Sequence, residues 1–335
     1  MKILIVLALM FPFSPAWPAE ADHYTLEDAQ VADITGHLNL FANQGMEQVI
    51  DELNASGPAC DDSIESEQRL YEGLTTVFAN HSKSQLIRDI LEGKIERTVI
   101  PLKESVYGEW TIWNGFLLGR KKAADSPLAL SPLVRVGDII IGADKIEHMF
   151  GMGFAYFKKH YLEGKKLVPV LKLGIFKEKT FLGGNIFATG VFSYADLAAN
   201  FNGMRFWNHF LQKSDDILGS QHNLGPYVVC RKGQWEKNPE RPLDFRNYID
   251  PAMQESVNCS KFATHSGARK FKEHLATLQE QNPDRAFTCP VSVELLEQTA
   301  RKYEVVMPDD RRGRRIDHWI INREGNEKVS YFNEF

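Results

Sequence analysis

Apolar positions recur at helical spacing through much of the chain. Across residues 44–53, Met46, Val49, Ile50 and Leu53 line one face, and Gly57-Pro58 ends the pattern. Ser63 is placed to cap a second helix reaching about Asn80, with Ile64, Leu70, Leu74, Val77 and Phe78 as its apolar set. A third helix, residues 84–92, gathers Leu86, Ile87, Ile90 and Leu91 and closes at Gly93. Residues 98–103 read as a short strand cut off at Pro101. The most apolar part follows Trp110 and Trp113, in three segments: residues 138–161, 168–181 and 193–211. Each carries Gly or Ala among its apolar residues, which lets helix backbones approach closely, so the three are predicted to pack on one another. Beyond residue 216 the pattern loosens. Residues 225–263 contain Pro226, Pro239, Pro242 and Pro251 and read as a long irregular region. Two helices follow at 267–281 and 293–303, the latter capped by Ser292, and then a hairpin of residues 316–321 and 328–332 around Gly325-Asn326.

These elements predict a mainly α protein: a helical core, a loop-rich, disulfide-pinned C-terminal region and a short terminal β-hairpin. Four regions are expected: a signal peptide at 1–21, an N-terminal helical region at 22–108, an apolar helical core with a polar cluster at 109–215, and a loop-rich and helical region at 216–335. The signal peptide is read from Lys2, an apolar run to Phe11 too short for the roughly 20 residues a membrane span needs, and the helix-breaking Pro12, Pro15 and Pro18. Ala19-Glu20-Ala21 supplies the small-x-small pattern, placing cleavage after Ala21, with Ala19 as the second choice. No Cys precedes Cys60, so a lipoprotein signal is not expected. The expected location is periplasmic or secreted.

Export changes the reading of the cysteines. Cys60, Cys230, Cys259 and Cys289 are predicted to form two disulfides, with three connectivities open; Cys230–Cys259 and Cys60–Cys289 are the expected pairs. None sits in a Cys-x-x-Cys pair, so neither a redox motif nor a zinc ribbon is signalled. The net charge of −5 gives no footing for nucleic acid. The two longest apolar stretches, 133–161 and 182–199, are interrupted by polar residues such as Asp144, Lys145 and Asp196, so no integral membrane span is expected.

Candidate chemistry lies in the apolar centre. Asp144 and His148 are four apart and share a helix face, which Gly151 and Ala155 extend. Ser193 is placed to cap a helix with Asp196 in its first turn, and Asn200, Gly203 and Trp207 continue that face. Gly174 and Glu178 repeat the device on the middle segment. Charged groups in such surroundings must be paired, so Asp144, His148, Glu178, Asp196 and Asn200 are predicted to converge. Two readings follow. In one, Asp144, His148 and Asp196 ligate a divalent metal such as zinc, or His148 and Asp196 with Glu178 assisting perform acid–base catalysis. In the other, the groups satisfy one another and Lys145 as a network that fixes helix register.

The order Asp144-Lys145-x-x-His148, Glu178, Ser193-x-x-Asp196-Leu197-x-x-Asn200-x-x-Gly203 resembles the pattern of the VanZ-like family and of YfiM-type periplasmic proteins. The resemblance spans Asp144 to Gly203 and implies a compact helical hairpin core in a cell-envelope setting, with a cell-envelope component as partner. VanZ-like proteins are linked to glycopeptide-antibiotic resistance, but the family carries no settled reaction. This chain departs from VanZ in its export signal, its polarity and its lack of membrane spans.

Three lesser features complete the reading. Asn208 and His209, at a helix end, are expected at the surface or as caps. Glu104 and Glu109 beside Tyr107 and Trp110 have the composition of a carbohydrate cleft. Arg311-Arg312-Gly313-Arg314-Arg315 reads as a solvated turn, or as a contact for anionic lipid or cell-wall polymer. No nucleophile elbow, P-loop or dinucleotide fingerprint is present. The leading expectation is an exported structural or binding protein; the alternative is a metal-dependent or acid–base hydrolase of cell-envelope material.

Overall fold

The computed structural model describes residues 20–26, 31–55, 60–61, 63–79, 83–115, 118–119, 130–179, 189–307 and 310–330. Residues 1–19 of the expected signal peptide and the end of the expected hairpin, 331–335, lie outside them.

The fold is mainly helical, with short two-stranded pairings between helices. In the N-terminal region, α1 (Thr35–Asn54) buries Leu38, Ala42, Met46, Val49 and Ile50, a stripe that begins a turn and a half before the expected start. α2 (Ile64–Val77) begins as expected: the Ser63 hydroxyl accepts the Ser66 N–H, and Glu65 and Glu67 sit at the positive end of the helix dipole. α3 (Gln85–Glu92) ends at Gly93, whose φ of +79° closes the last turn. Thr98 makes only a single bridge to Leu133, so the strand expected at 98–103 is absent, and Leu102–Glu104 is a 3-10 turn.

The centre departs from the sequence reading at its start. The stretch expected to be helical from Asp138 opens with a β-hairpin, β1 (Leu133–Val136) and β2 (Ile139–Gly142), turning at Gly137-Asp138 with Gly137 at φ +62°. Its Val and Ile content suits strands, and the Gly-Asp pair is the turn signal that the apolar run masked. β2 runs directly into α4 (Ala143–Phe157). α5 (Leu167–Lys179) and α6 (Tyr194–Asn208) follow, the latter capped by Ser193 as expected.

Every residue of α6 is buried, which makes it the axis of the molecule. α4 lies against it at backbone contact. A Cβ on Gly203 would stand 2.3 Å from the Met149 carbonyl oxygen, and one on Gly153 would stand 2.6 Å from the Gly203 Cα. Gly153 is thus the small residue at the crossing, whereas Gly151 faces open space. Below the crossing, Phe78, Phe150, Phe206, Trp207 and Phe210 stack edge-on and tilted. Each such buried ring contributes about 1.5–3 kcal/mol, so the aromatic layer holds the helix pair together.

The C-terminal region wraps this core. β3 (Val191–Phe192), just before α6, pairs with β6 (Lys261–Phe262). A second hairpin missed by the sequence reading, β4 (Val228–Arg231) and β5 (Gln234–Lys237), turns at Lys232-Gly233, both with positive φ. α7 (His265–Gln281) and α8 (Val293–Ala300) form as expected, capped by Thr264 and Ser292. The tail does not close into the expected hairpin. Asp317–Ile320 is a helical turn, α9, and Lys328 instead bridges Phe262.

The disulfides also correct the expected pairing: they are Cys60–Cys230 and Cys259–Cys289. The β4–β5 hairpin docks on the end of α1, where Asn54 exchanges hydrogen bonds with the backbone of Trp235 and the Cys60 N–H donates to the Gly233 carbonyl. That docking brings Cys230 to Cys60 and leaves Cys259 to meet Cys289. None of the described helices is long and apolar enough to cross a membrane.

Candidate functional site

The first turns of α4 and α6 meet beside one another, because the glycine crossing leaves no room for side chains between the two backbones. Asp144, Lys145 and His148 therefore face Asp196 and Asn200. The Asp196 N–H is held by the Ser193 hydroxyl at 3.2 Å, and the Asp144 N–H by the Ser131 hydroxyl at 3.0 Å.

Lys145 is the hub of one half. Its Nζ, fully buried, lies 2.5 Å from Asp144 Oδ2, 2.7 Å from Asp196 Oδ1 and 2.8 Å from Glu255 Oε1. Burial alone would strip its proton, but Asp144, Asp196 and Glu255 outweigh that and raise its pKa well above the ordinary value. One lysine thus ties α4, α6 and the segment after the Pro251–Met253 turn.

His148 is the hub of the other half. Its Nε2 lies 3.2 Å from Asp196 Oδ2, and its Nδ1 lies 3.0 Å from Asn200 Oδ1. The Asn200 oxygen can only accept, so this contact favours the tautomer with the proton on Nδ1. The donor atoms of His148, Glu178 and Asp196 all lie within 4.8 Å of one another. Burial opposes charge on the imidazole, but Asp196 and then Glu178 outweigh it and hold the His148 pKa above 6.5. His148 retains 20% side-chain exposure, while Asp196 has none.

The predicted residues therefore do come together, but in two groups that share Asp196. Glu178, buried at the end of α5, belongs with His148. Asp144, expected beside His148 in a ligand set, instead groups with Asp196 and Glu255 around Lys145. Asp144 and His148 both turn toward α6, but Gly151, expected to extend their face, does not; the side chains diverge, and the lysine fills the space between the three carboxylates.

Two acids were missed. Glu255 lies in an irregular stretch where no periodicity flags burial, and Glu20 was assigned to the signal region. Both are buried. Glu20 accepts from the Thr189 hydroxyl at 2.8 Å, and its carbonyl accepts the Ser131 N–H. Burial, together with repulsion from Glu255 and Asp196, raises the Glu20 carboxyl well above its usual range. Glu255 is pushed up to about 7 by burial, with Asp144 adding and Lys145 opposing. Asp144 Oδ1, Glu255 Oε2 and Glu20 Oε2 are buried with no hydrogen-bond partner among the described residues. The site is rich in negative charge.

The lesser candidates resolve differently. His209, expected at the surface or as a cap, is fully buried, with Nε2 3.0 Å from Asp216 and Nδ1 2.7 Å from the Tyr248 hydroxyl. The segment that follows α6 folds back over the helix end, which a local reading of the helix terminus does not register. Tyr107 and Trp110 are core residues packed edge-on at 5.1 Å, while Glu104 and Glu109 are exposed. A cavity of about 210 Å³ is lined by His23, Leu133, Gln254 and Arg285, among others, and not by His148.

Comparison with protein families, with curated proteins and with solved structures finds no match to this chain.

Proposed function

We propose that this is an exported binding protein of the cell envelope whose central cluster has a fixed half and an exchangeable half. Lys145 is the permanent counter-ion of the fixed half. In the exchangeable half His148, Glu178 and Asp196 take up a divalent cation, zinc suiting one imidazole and two carboxylates.

The observation that carries this reading is the setting of His148. Its contact with Asn200 favours a proton on Nδ1 and leaves Nε2 beside Asp196, the arrangement that orients a metal-ligating histidine. The 3.2 Å from Nε2 to Asp196 Oδ2 is about the separation kept by two donors roughly 2.0–2.2 Å from a tetrahedral zinc. Without metal, Nε2 holds a proton between itself and Asp196; binding releases it. Partial exposure of His148 supplies the way in.

Export rests on the N-terminal pattern and on the two disulfides, which suit an oxidising compartment. The burial of Glu20 and Ala21 favours a cut after Ala19 over one after Ala21, and the N-terminal sequence of the secreted protein tests it. The resemblance of the Asp144–Gly203 pattern to VanZ-like and YfiM-type proteins supports the envelope setting alone.

The test is metal analysis of the purified protein with His148→Ala and Asp196→Asn. One equivalent of zinc, lost in both folded variants, supports the site. Absence of metal after zinc loading, with both variants destabilised, leaves the whole cluster structural and sinks the reading. A hydrolase at the same residues is the second reading, favoured by the His148–Asp196 contact, in which a carboxylate orients an imidazole. It requires turnover of envelope material that His148→Ala abolishes.

A further inference from the structure

The Arg-rich turn before α9 does not stand alone in solvent. Arg311, Arg312 and Arg314 face Lys166, Pro169 and Lys172 at the start of α5 across an open cleft of about 340 Å³. Its acid, Asp310, is taken up by Arg314 at 2.6 Å. Arg314 lies on the buried ring of Trp319, its guanidinium 4.4 Å from the centroid, and the Lys172 ammonium stands 5.7 Å from the same ring. The indole thus fixes both sides of the cleft. Lys166, Lys172, Arg311 and Arg312 are exposed, and none is paired with a carboxylate among the described residues.

Exposed apolar side chains lie close to these residues along the chain. Phe176, one turn beyond Lys172 on the same face of α5, is 57% exposed. Val306, which bridges Arg315, is 58% exposed, and Leu162, at the end of the turn leading to α5, is 45% exposed. Single exposed apolar residues are ordinary. Their nearness along the chain to basic groups that lack carboxylate partners among the described residues, on a protein of net charge −5, is not what solubility requires.

We propose that this face docks the protein on an anionic phospholipid surface. The basic groups meet headgroup phosphates, and Phe176, Leu162 and Val306 enter the interfacial layer. Charge complementarity chooses the occupant: a bilayer offers many phosphates over an apolar layer, matching both features of the face. The inference is independent of the central cation site and stands if that site is only structural.

The test is co-sedimentation of the full chain with vesicles of phosphatidylcholine alone and with roughly one-third phosphatidylglycerol. Binding is expected only to the anionic vesicles, weakening as salt rises. Arg311→Glu with Arg312→Glu should weaken it at least about tenfold, since each basic group contributes about fivefold. Phe176→Ser should weaken it while leaving the melting temperature unchanged, because the ring is largely outside the core. Equal binding to neutral vesicles, no binding to either, or indifference to the arginine pair overturns the proposal. So does full competition by millimolar inorganic phosphate with no effect of Phe176→Ser, which would assign the cleft to a soluble anion.

Discussion

At its N-terminal end α6 places Asp196 among Glu20, Asp144, Glu178 and Glu255, with Lys145 and His148 beside them; at its C-terminal end it places Arg205 and His209 against Asp216, with Lys302 and Asp250 alongside. Both ends are buried and both are networks, yet their charge balance differs. Arg205 binds Asp216 through Nε at 2.8 Å, and Asn202 joins Arg205 to Lys302, which pairs with Asp250 at 2.5 Å. Two cations there match two carboxylates. Asp216 is accordingly held down to about 2: burial raises it, but His209 and Arg205 outweigh that. Burial lowers the pKa of His209, whereas that of His148 is raised. A balanced network is complete as a structural bridge. An acid-rich one needs protons or a cation, which is why the proposed function lies at the first end.

Removing the central cation from each end gives the largest expected contrast. Lys145→Met leaves three buried carboxylates facing one another and should cost about 3–5 kcal/mol or prevent folding. Arg205→Met should cost less, because Asp216 keeps His209 and the Leu218 N–H. Urea denaturation of both checks this; an equal or reversed order would remove the distinction between the ends.

Zinc should sharpen the same comparison. At about 100 times its dissociation constant it should stabilise the protein by about 2.7 kcal/mol. The gain should vanish in His148→Ala and survive in His209→Gln, read by thermal melts with and without metal.

The crossing between the two ends is open to a steric test. Gly203→Ala drives a methyl into the Met149 backbone and should cost about 1–3 kcal/mol. Zinc stabilisation should fall with it, since the first turns of α4 and α6 are forced apart. Loss of stability with unchanged zinc response would show that the crossing does not position the site.

The last comparison between the two ends is of pH dependence. Glu255 rises from 4.5 unfolded to about 7 folded, so the folded state holds a proton that the unfolded chain has released. Its stabilisation is complete below about 4.5 and is lost as pH rises to about 7. His148, raised above 6.5, acts in the same direction: its contribution is present below 6.5 and lost as pH rises through the folded value. Asp216 runs the other way, losing its contribution only as pH falls from 3.8 toward 2, and is silent near neutrality. Stability should therefore decline by about 2–3 kcal/mol from about pH 5 to about pH 8. Glu255→Gln, which keeps an acceptor for Lys145, should flatten the lower part of that decline in melts across pH.

Legibility followed the range of the forces involved. Ser63 and Ser193 as caps, Gly93 as a stop and the α4–α6 pairing were readable because capping and helical periodicity act within a few residues. The β1–β2 hairpin was lost inside an apolar run in which buried strand and buried helix look alike. Among the site residues, His148, Asp144, Glu178, Asp196 and Asn200 were found from polar groups at i and i+4 on apolar helices. Glu255 was not, since irregular chain gives burial no period, and Glu20 was hidden behind a cleavage pattern.

By itself the sequence determined a mainly helical chain, the Asp144–His148 and Asp196–Asn200 faces and the four cysteines, all consequences of local spacing and composition. Only the tertiary structure decided which side chains share an enclosure. It joined Cys60 to Cys230, buried His209, set Lys145 among three carboxylates and left His148 with Glu178 and Asp196. Those outcomes depend on contacts between residues tens to hundreds of positions apart, where the free energy of desolvating a charge is settled by whatever the rest of the chain brings beside it.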